Sequence, residues 1–396
     1  MPPPVHAGPV PARRDPSSHL RPAAGAAVGP GALRRLAGYQ YPAWIAAGVA
    51  AALAYPGAFE RWGGVRLADG VVLTTVVQVV MFGLATRAQL SDFTGVVRHP
   101  KGLPVGLLGH YLVMPFGAFA LVSVTDLPAE IELGVVLYGC VSSGLASTAM
   151  SLLARADLGL AVTITALSTL VAPLATPLLV RLLGGRVVDV DVVAMAFDVL
   201  QLTLVPVTAA LLVQYLGTAP RRVRLVGHGA AVLAAAGLVL ALTGDHHVAL
   251  ARLAAAVLVA DGYAALVRCR PPVARVLPYV SMAGILYYTT VTTAAGRDAL
   301  LDVGVTLVIV GLVHNLTGYA FGYWGARALG LDRAAARTTT FEVGMQNGGM
   351  ATGLAASLGL LGTAGLAAAV FSPLGNLTGS MLANYWSRRP AGDVRA

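Results

Sequence analysis

A carboxylate surrounded by glycines opens the segment Glu342-Val343-Gly344-Met345-Gln346-Asn347-Gly348-Gly349, in a stretch otherwise made largely of Ala, Leu and Thr. A charged side chain at mid-bilayer costs roughly 3 kcal/mol on insertion scales, so Glu342 needs a partner, a cavity or a task there. The neighbouring glycines let a helix unwind locally and free its carbonyl oxygens. A carboxylate together with carbonyls is a hard-oxygen donor set, and it suits a small cation such as Na+. The alternative is a protonated Glu342 satisfied by a neighbouring helix, with the glycines serving only close helix packing.

A second segment has the same small and interruptible character: Ser142-Ser143-Gly144-Leu145-Ala146-Ser147-Thr148-Ala149-Met150-Ser151. Alone it reads as a packing surface, but paired with the Glu342 segment it reads as that segment's counterpart. Two further matches point to an internal duplication. Gly109-His110-Tyr111-Leu112 parallels Val313-His314-Asn315-Leu316, and Ser168-Thr169-Leu170-Val171-Ala172-Pro173 parallels Phe371-Ser372-Pro373-Leu374-Gly375-Asn376, in the same order. Inverted repeats with one broken helix each are a device of alternating-access carriers, which place the site where the breaks cross. Asp198, Gln201 and Asp261 are further polar residues within apolar stretches, equally well read as interhelical hydrogen-bonding positions. Asp245, His246 and His247 are adjacent, but no further ligand at helical spacing completes a zinc site. No GxSxG, HExxH, phosphate-loop or dinucleotide spacing supplies a nucleophile, catalytic metal or nucleotide, so no enzyme is expected and no organic cofactor.

The elements that position these residues follow from composition. The 396 residues are 57% hydrophobic and only 11% charged, with a mean hydropathy of +0.74, which excludes an ordinary soluble protein. Apolar runs near 40–58, 69–87, 103–123, 131–153, 158–180, 192–216, 225–243, 248–267, 276–295, 302–325, 336–358 and 362–385 predict about twelve membrane-spanning helices. The runs are continuous, without the period-two alternation of a barrel strand. The net charge of +9 falls in short connections rather than on one face, so no nucleic-acid partner is expected. With the N-terminus inside, the inner segments collect residues such as Arg87, Arg98, Lys101, Arg155, Arg221, Arg222, Arg268, Arg270, Arg333 and Arg388, whereas the outer ones keep Arg61, Arg66, Arg181, Arg186 and Arg297. That bias predicts an even number of spans, both termini in the cytoplasm and residence in the inner (plasma) membrane. Residues 1–38 are Pro-, Ala- and Arg-rich and read as a disordered cytoplasmic leader, and 388–396 as a cytoplasmic tail. Cys140 and Cys269 support neither a disulfide framework nor a CxxC site.

Several segments together resemble the bile acid:sodium symporter family. They are Met81-Phe82-Gly83-Leu84 through Asp92-Phe93, His99-Pro100-Lys101 leading to Met114-Pro115, Gly144-Leu145-Ala146-Ser147 through Ser168-Thr169-Leu170, Glu342-Val343-Gly344-Met345-Gln346-Asn347, and Asn376-Leu377-Thr378-Gly379-Ser380. The resemblance runs from about Tyr41 to Trp386 and implies an all-α integral membrane transporter. Its architecture would be ten helices in two inverted repeats, a panel and a core domain, and two crossing discontinuous helices. Aligning Leu204-Val205-Pro206 and Leu277-Pro278-Tyr279 with that plan leaves an extra helix pair. The implied division is 39–185 for the first repeat, 186–217 for the first helix of the second, 218–272 for the insert and 273–387 for the remainder.

The resemblance also implies site residues. One sodium site would use Glu342, Val343, Met345 and Gln346, with His110 where the family has Gln; the principal side-chain ligands to Na+ are Glu342 and Gln346. The other would use Ser147, Thr148, Thr165 and Glu342, with Ala161 where the family has a hydroxyl. Substrate positions would be Leu145, Asn347 and Asn376, Leu145 standing where the family has Thr. Because desolvated Na+ needs several oxygens, these losses imply coupling weakened to a single ion, or protons carrying part of it through His110 and Glu342, since histidine titrates near neutral pH. The implied function is a secondary active transporter of small organic anions, bile-acid-like or carboxylate, coupled to sodium or protons. The rivals are a degenerate carrier acting as a receptor and an arsenite-type efflux carrier, the latter disfavoured because Cys140 precedes the hydroxylated segment rather than lying within it.

Overall fold

Four aspartates mark where helices begin. In the computed structural model, which describes residues 40–86, 100–185, 190–242 and 248–389, the side chains of Asp69, Asp157, Asp191 and Asp332 each accept a hydrogen bond from a backbone N–H in the following first turn, at 2.8–3.0 Å. These first-turn N–H groups lack intrahelical partners, so each cap satisfies a donor that the bilayer would leave exposed. Four of the chain's 18 acidic residues are thereby used at helix starts.

The helices are α1 (Gln40–Ala54), α2 (Gly70–Ala85), α3 (Gly102–Val122), α4 (Ala129–Cys140), α5 (Leu145–Leu153), α6 (Leu158–Gly184), α7 (Val192–Thr218), α8 (Arg221–Leu242), α9 (Val248–Cys269), α10 (Leu277–Ala295), α11 (Arg297–Ala328), α12 (Arg333–Gly344), α13 (Gly348–Ser357) and α14 (Ala364–Ser387). A two-rung hairpin, Arg61–Trp62 with Val65–Arg66, links α1 to α2. Helix occupies every stretch predicted as an apolar run, and two of those runs, 131–153 and 336–358, are interrupted. Among the described residues, α3, α6, α7, α11 and α14 are individually long and apolar enough to cross a membrane. The leader 1–38, the segment carrying Asp92, Phe93 and His99, and the Asp245-His246-His247 turn lie outside the described residues.

Two groups of helices form. In one, α10 packs on α1 and α2, and α2 packs on α7. In the other, α3, α6, α11 and α14 pack around the two interrupted helices, α4–α5 and α12–α13. The main buried cluster, including Leu133, Leu137, Tyr138, Leu307, Met350, Leu354 and Phe371, lies largely in the second group and reaches the first through Leu73, Val77 and Tyr288. The pair α8 and α9 packs on itself and seats α9 against α7, with Ala260 meeting Ala209, Ala210 and Phe82.

Gln201 and Asp261, two of the polar residues of the apolar runs, find structural partners, while the half-buried Asp198 lines a cleft with Asp69 and Thr74. Proline at 206 has no N–H to donate, and the preceding Leu200–Leu204 segment winds as one π turn, in which the Val205 N–H reaches Leu200 O. The Gln201 carbonyl bypassed by this turn accepts from Gln78 Nε2 at 2.9 Å, so α2 repairs the irregularity in α7. Asp261 of α9 pairs with His228 of α8 at 2.6 Å.

Candidate functional site

The site is built by two gaps in helices. α4 stops at Cys140 and α5 starts at Leu145; α12 stops at Gly344 and α13 starts at Gly348. Each gap frees backbone groups that have no water to bond to in hydrocarbon. The gaps cross and satisfy each other: Gly144 N–H donates to Met345 O and Asn347 N–H to Ser142 O, both at 2.9 Å, forming a single antiparallel rung between Ser143 and Gln346. The crossing is so close that a Cβ on Gly144 would lie 2.6 Å from the Gln346 carbonyl oxygen. This is the physical reason for glycine at 144.

Glu342, on the last full turn of α12, is completely buried beside this rung. Its carboxylate accepts three hydroxyl hydrogen bonds: Ser147 Oγ to Oε1 at 2.6 Å, Thr165 Oγ1 to Oε2 at 2.7 Å and Ser143 Oγ to Oε2 at 2.8 Å. Thr148 Oγ1 extends the cluster at 3.2 Å from Thr165 Oγ1. Four hydroxyls from the α4–α5 gap, α5 and α6 therefore converge with one carboxylate from α12. Ala161, one turn before Thr165 on α6, is fully buried and adds no oxygen.

On the other side of the Glu342 backbone the ring of His110, from α3, lies between two carbonyls, with Nδ1 2.9 Å from Glu342 O and Nε2 2.9 Å from Val141 O. His110 thus bridges the ends of both interrupted helices. Gln346 donates Nε2 to Val343 O at 3.1 Å, while its Oε1 is buried and has no hydrogen-bond partner among the described residues. A buried amide oxygen without a partner is an acceptor that a folded protein seldom leaves unused. Met345 contributes its carbonyl to the rung.

A cleft lies between the two helix groups and meets the crossing. Ile45, Val80, Leu84, Ile285 and Tyr288 line one wall; Gly144 to Ala146, Gln346 to Gly349, Ser372 and Asn376 line the other. Leu145, Asn347 and Asn376, the residues expected to contact substrate, all lie on its core-side wall. Asn347 also caps α13, its Oδ1 accepting from Met350 N at 3.1 Å, and its Nδ2 rests 3.6 Å from Met81 Sδ of α2. The starts of α5 and α13 open into this cleft, and no Asp, Glu, Lys or Arg among the described residues lines it.

The structure adds three residues that sequence reasoning did not place. Ser143 joins Ser147 on the carboxylate; the i, i+4 spacing is visible in the sequence, but only the gap geometry turns both hydroxyls toward Glu342. Asn315 Nδ2 donates to Gly344 O at 2.8 Å, so it holds the end of α12 as His110 holds the end of α4. The two matching tetrapeptides align on their histidines, yet the role falls one residue later; His314 instead meets Met114 O at 2.9 Å. Arg337 is buried and donates to Ala154 O at 3.0 Å and Arg389 O at 3.1 Å, pinning the ends of α5 and α14 to the start of α12.

The family description that matches residues 74–252 is Sodium Bile acid symporter family. The chain is 31% identical over 317 residues to the uncharacterized sodium-dependent transporter YocS of Bacillus subtilis (strain 168), covering 80% of this chain and 83% of that one. The chain belongs to the sodium bile acid symporter family. Within this family it is also 30% identical over 353 residues to the probable sodium/metabolite cotransporter BASS1 of Arabidopsis thaliana, covering 88% of this chain and 73% of the relative. The BASS1 protein of Oryza sativa subsp. japonica is 28% identical over 354 residues, with 89% and 73% covered. The family match takes in the first interrupted helix, α4–α5, and ends before the second.

Proposed function

We propose that this family member is a secondary active transporter that moves a small organic anion together with Na+ by alternating access, the α3–α6 and α11–α14 core rocking against a panel of α1, α2, α7 and α10. The observation that carries the reading is the buried Glu342 carboxylate, ringed by Ser143, Ser147 and Thr165 hydroxyls at 2.6–2.8 Å, with Gln346 Oε1 of the same interrupted helix buried and unpartnered among the described residues. A desolvated Na+ needs several oxygens, and the hydroxyls that now donate to Glu342 can turn their lone pairs to an ion. Ser147, Thr148, Thr165 and Glu342 would hold it on one side; Glu342, Gln346 and the Val343 and Met345 carbonyls offer a second position.

The solute position rests on the cleft. Helix N-termini favour negative charge, and the starts of α5 and α13 face a cleft free of acidic side chains among the described residues, with Leu145, Asn347 and Asn376 on that wall. The opposite wall is largely apolar, with Ile45, Val80, Leu84 and Ile285 beside Tyr288 and Thr289, which suits an anion with a hydrocarbon body. In this reading residues 39–185 form one inverted repeat, and 186–217 with 273–387 the other. The 218–272 pair is an insertion that keeps later helices in their orientation. Twelve crossings leave both termini on the cytoplasmic face of the cell membrane.

His110 supports a second reading, in which protons share the coupling. Both of its nitrogens face carbonyl oxygens at 2.9 Å, and an imidazole donates through both nitrogens only when protonated. Uptake by proteoliposomes under separately imposed Na+ and pH gradients decides between them. Acceleration by an inward Na+ gradient supports sodium coupling, and acceleration by an inward proton gradient alone supports the second reading. Indifference to both removes both, and saturable anion binding without any flux identifies a receptor. A thermal-shift screen of small carboxylates and steroid-like anions, with and without Na+, supplies the solute, because a ligand of the folded state stabilises it.

A further inference from the structure

The additional helix pair carries a feature that the transport reading does not use. His228 on α8 and Asp261 on α9 meet at 2.6 Å, which fixes the register of the two helices. Seven residues before His228 stands Arg221, and seven residues after Asp261 stands Arg268. Seven residues are close to two full turns, so in this antiparallel pair both arginines lie on the same seam, about 10 Å from the His–Asp contact. Arg222, Arg270 and Arg275 stand at the same end, and all five are exposed. Arg224 is different: it turns inward and donates to Ala219 O at 2.8 Å.

Among the described residues no carboxylate is paired with these arginines. Asp261 is the only carboxylate between Ala219 and Leu242 or between Val248 and Arg275, and His228 engages it two turns deeper. Guanidinium groups facing each other across a seam repel unless an anion lies between them. The surroundings say which kind of anion. Leu225 and Val226 are exposed one turn above Arg221, and Leu266 is exposed beside Arg268. Tyr215 and Tyr279, at the adjoining ends of α7 and α10, are exposed in the manner of an interfacial aromatic belt. A phosphate group at the arginines would therefore continue directly into acyl chains along α8 and α9.

We propose that the arginine end of the α8–α9 seam binds the headgroup phosphate of an anionic phospholipid. Because α9 seats on α7 and α2, the bound lipid anchors the panel side of the molecule to the membrane surface while leaving the Glu342 site untouched. The binding chemistry is charge-assisted hydrogen bonding between guanidinium and phosphate, strengthened where the bilayer surface concentrates negative charge.

The test uses the full-length protein and two measurements. In native mass spectrometry from mixed micelles of phosphatidylglycerol and phosphatidylcholine, the wild type is expected to retain phosphatidylglycerol preferentially; equal retention of the two lipids overturns the proposal without any variant. In bilayer nanodiscs, phosphatidylglycerol is expected to raise the thermal midpoint above that in pure phosphatidylcholine, while millimolar inorganic phosphate leaves it unchanged. A rise produced equally by phosphate means a soluble-anion site and overturns the lipid assignment. In R221Q/R268Q the phosphatidylglycerol preference should fall by about fivefold for each guanidinium removed, roughly 25-fold in all. A paired control, R333Q/R388Q, removes the same charge from other connections and should keep the preference. Equal loss in both variants reduces the effect to total charge and overturns the seam as its location.

Discussion

At the scale of single residues, Glu342 is the point on which several contacts depend. Three hydroxyls donate to it, so replacing it by Gln removes the charge that an ion would balance while keeping the shape. In Glu342→Gln the Na+-dependent part of any thermal shift or uptake is expected to vanish; a Na+ dependence that survives places the ion elsewhere. Ala161 offers the opposite experiment. It is fully buried one turn from Thr165, and Ala161→Ser would return a hydroxyl to the wall of the hydroxyl cluster. One added ligand worth about 1 kcal/mol corresponds to roughly fivefold tighter apparent Na+ binding, readable as a leftward shift of a sodium titration. An unchanged titration would mean that this face of α6 does not reach the ion. Glu342 itself was legible in the sequence because a carboxylate inside a long apolar run is too costly to persist there without a task. Ser143 and the orphaned Gln346 oxygen were not, because their meaning depends on side-chain directions set by the gap.

At the scale of elements, the crossing of the interrupted helices rests on close backbone approach and on donors brought by other helices. Gly144 lies against the Gln346 carbonyl, so Gly144→Val forces the two gaps apart. Overpacking of this kind costs about 1–3 kcal/mol, and chemical denaturation should show it together with loss of Na+ dependence. Asn315 is the donor for Gly344 O, and Asn315→Leu leaves that carbonyl without its partner, a desolvation cost of about 1–3 kcal/mol. If Asn315→Leu matched the wild type in stability, the carbonyl would have found another donor and the capping role would fall. Glycines and hydroxyls announced that both segments were interruptible. The identity of the capping residues stayed hidden, because a carbonyl's partner comes from a helix distant in sequence: Asn315 reaches 29 residues and His110 reaches 232 to Glu342.

At the scale of the whole molecule, composition and hydrophobic runs foretold helices in every expected place, because burial in lipid leaves little choice of secondary structure. The same signal said nothing of how helices pair, since every apolar face looks alike to a membrane. The α8–α9 pair illustrates this. Its runs were evident, whereas its attachment to α7 through Ala260, Ala209 and Ala210 depends on small side chains that allow close packing. Arg337 is likewise, in the sequence, only one more positive charge near a helix start, yet it is buried and ties three helix ends together.

The single rung between Ser143 and Gln346 limits how this molecule can change shape. Gly144 and Asn347 each donate to the other gap, so sliding one broken helix along the other would strand a donor and an acceptor in hydrocarbon at both ends. The two segments are thereby buckled together, and under the proposed function an ion seated beside Glu342 would be carried with both rather than handed from one to the other.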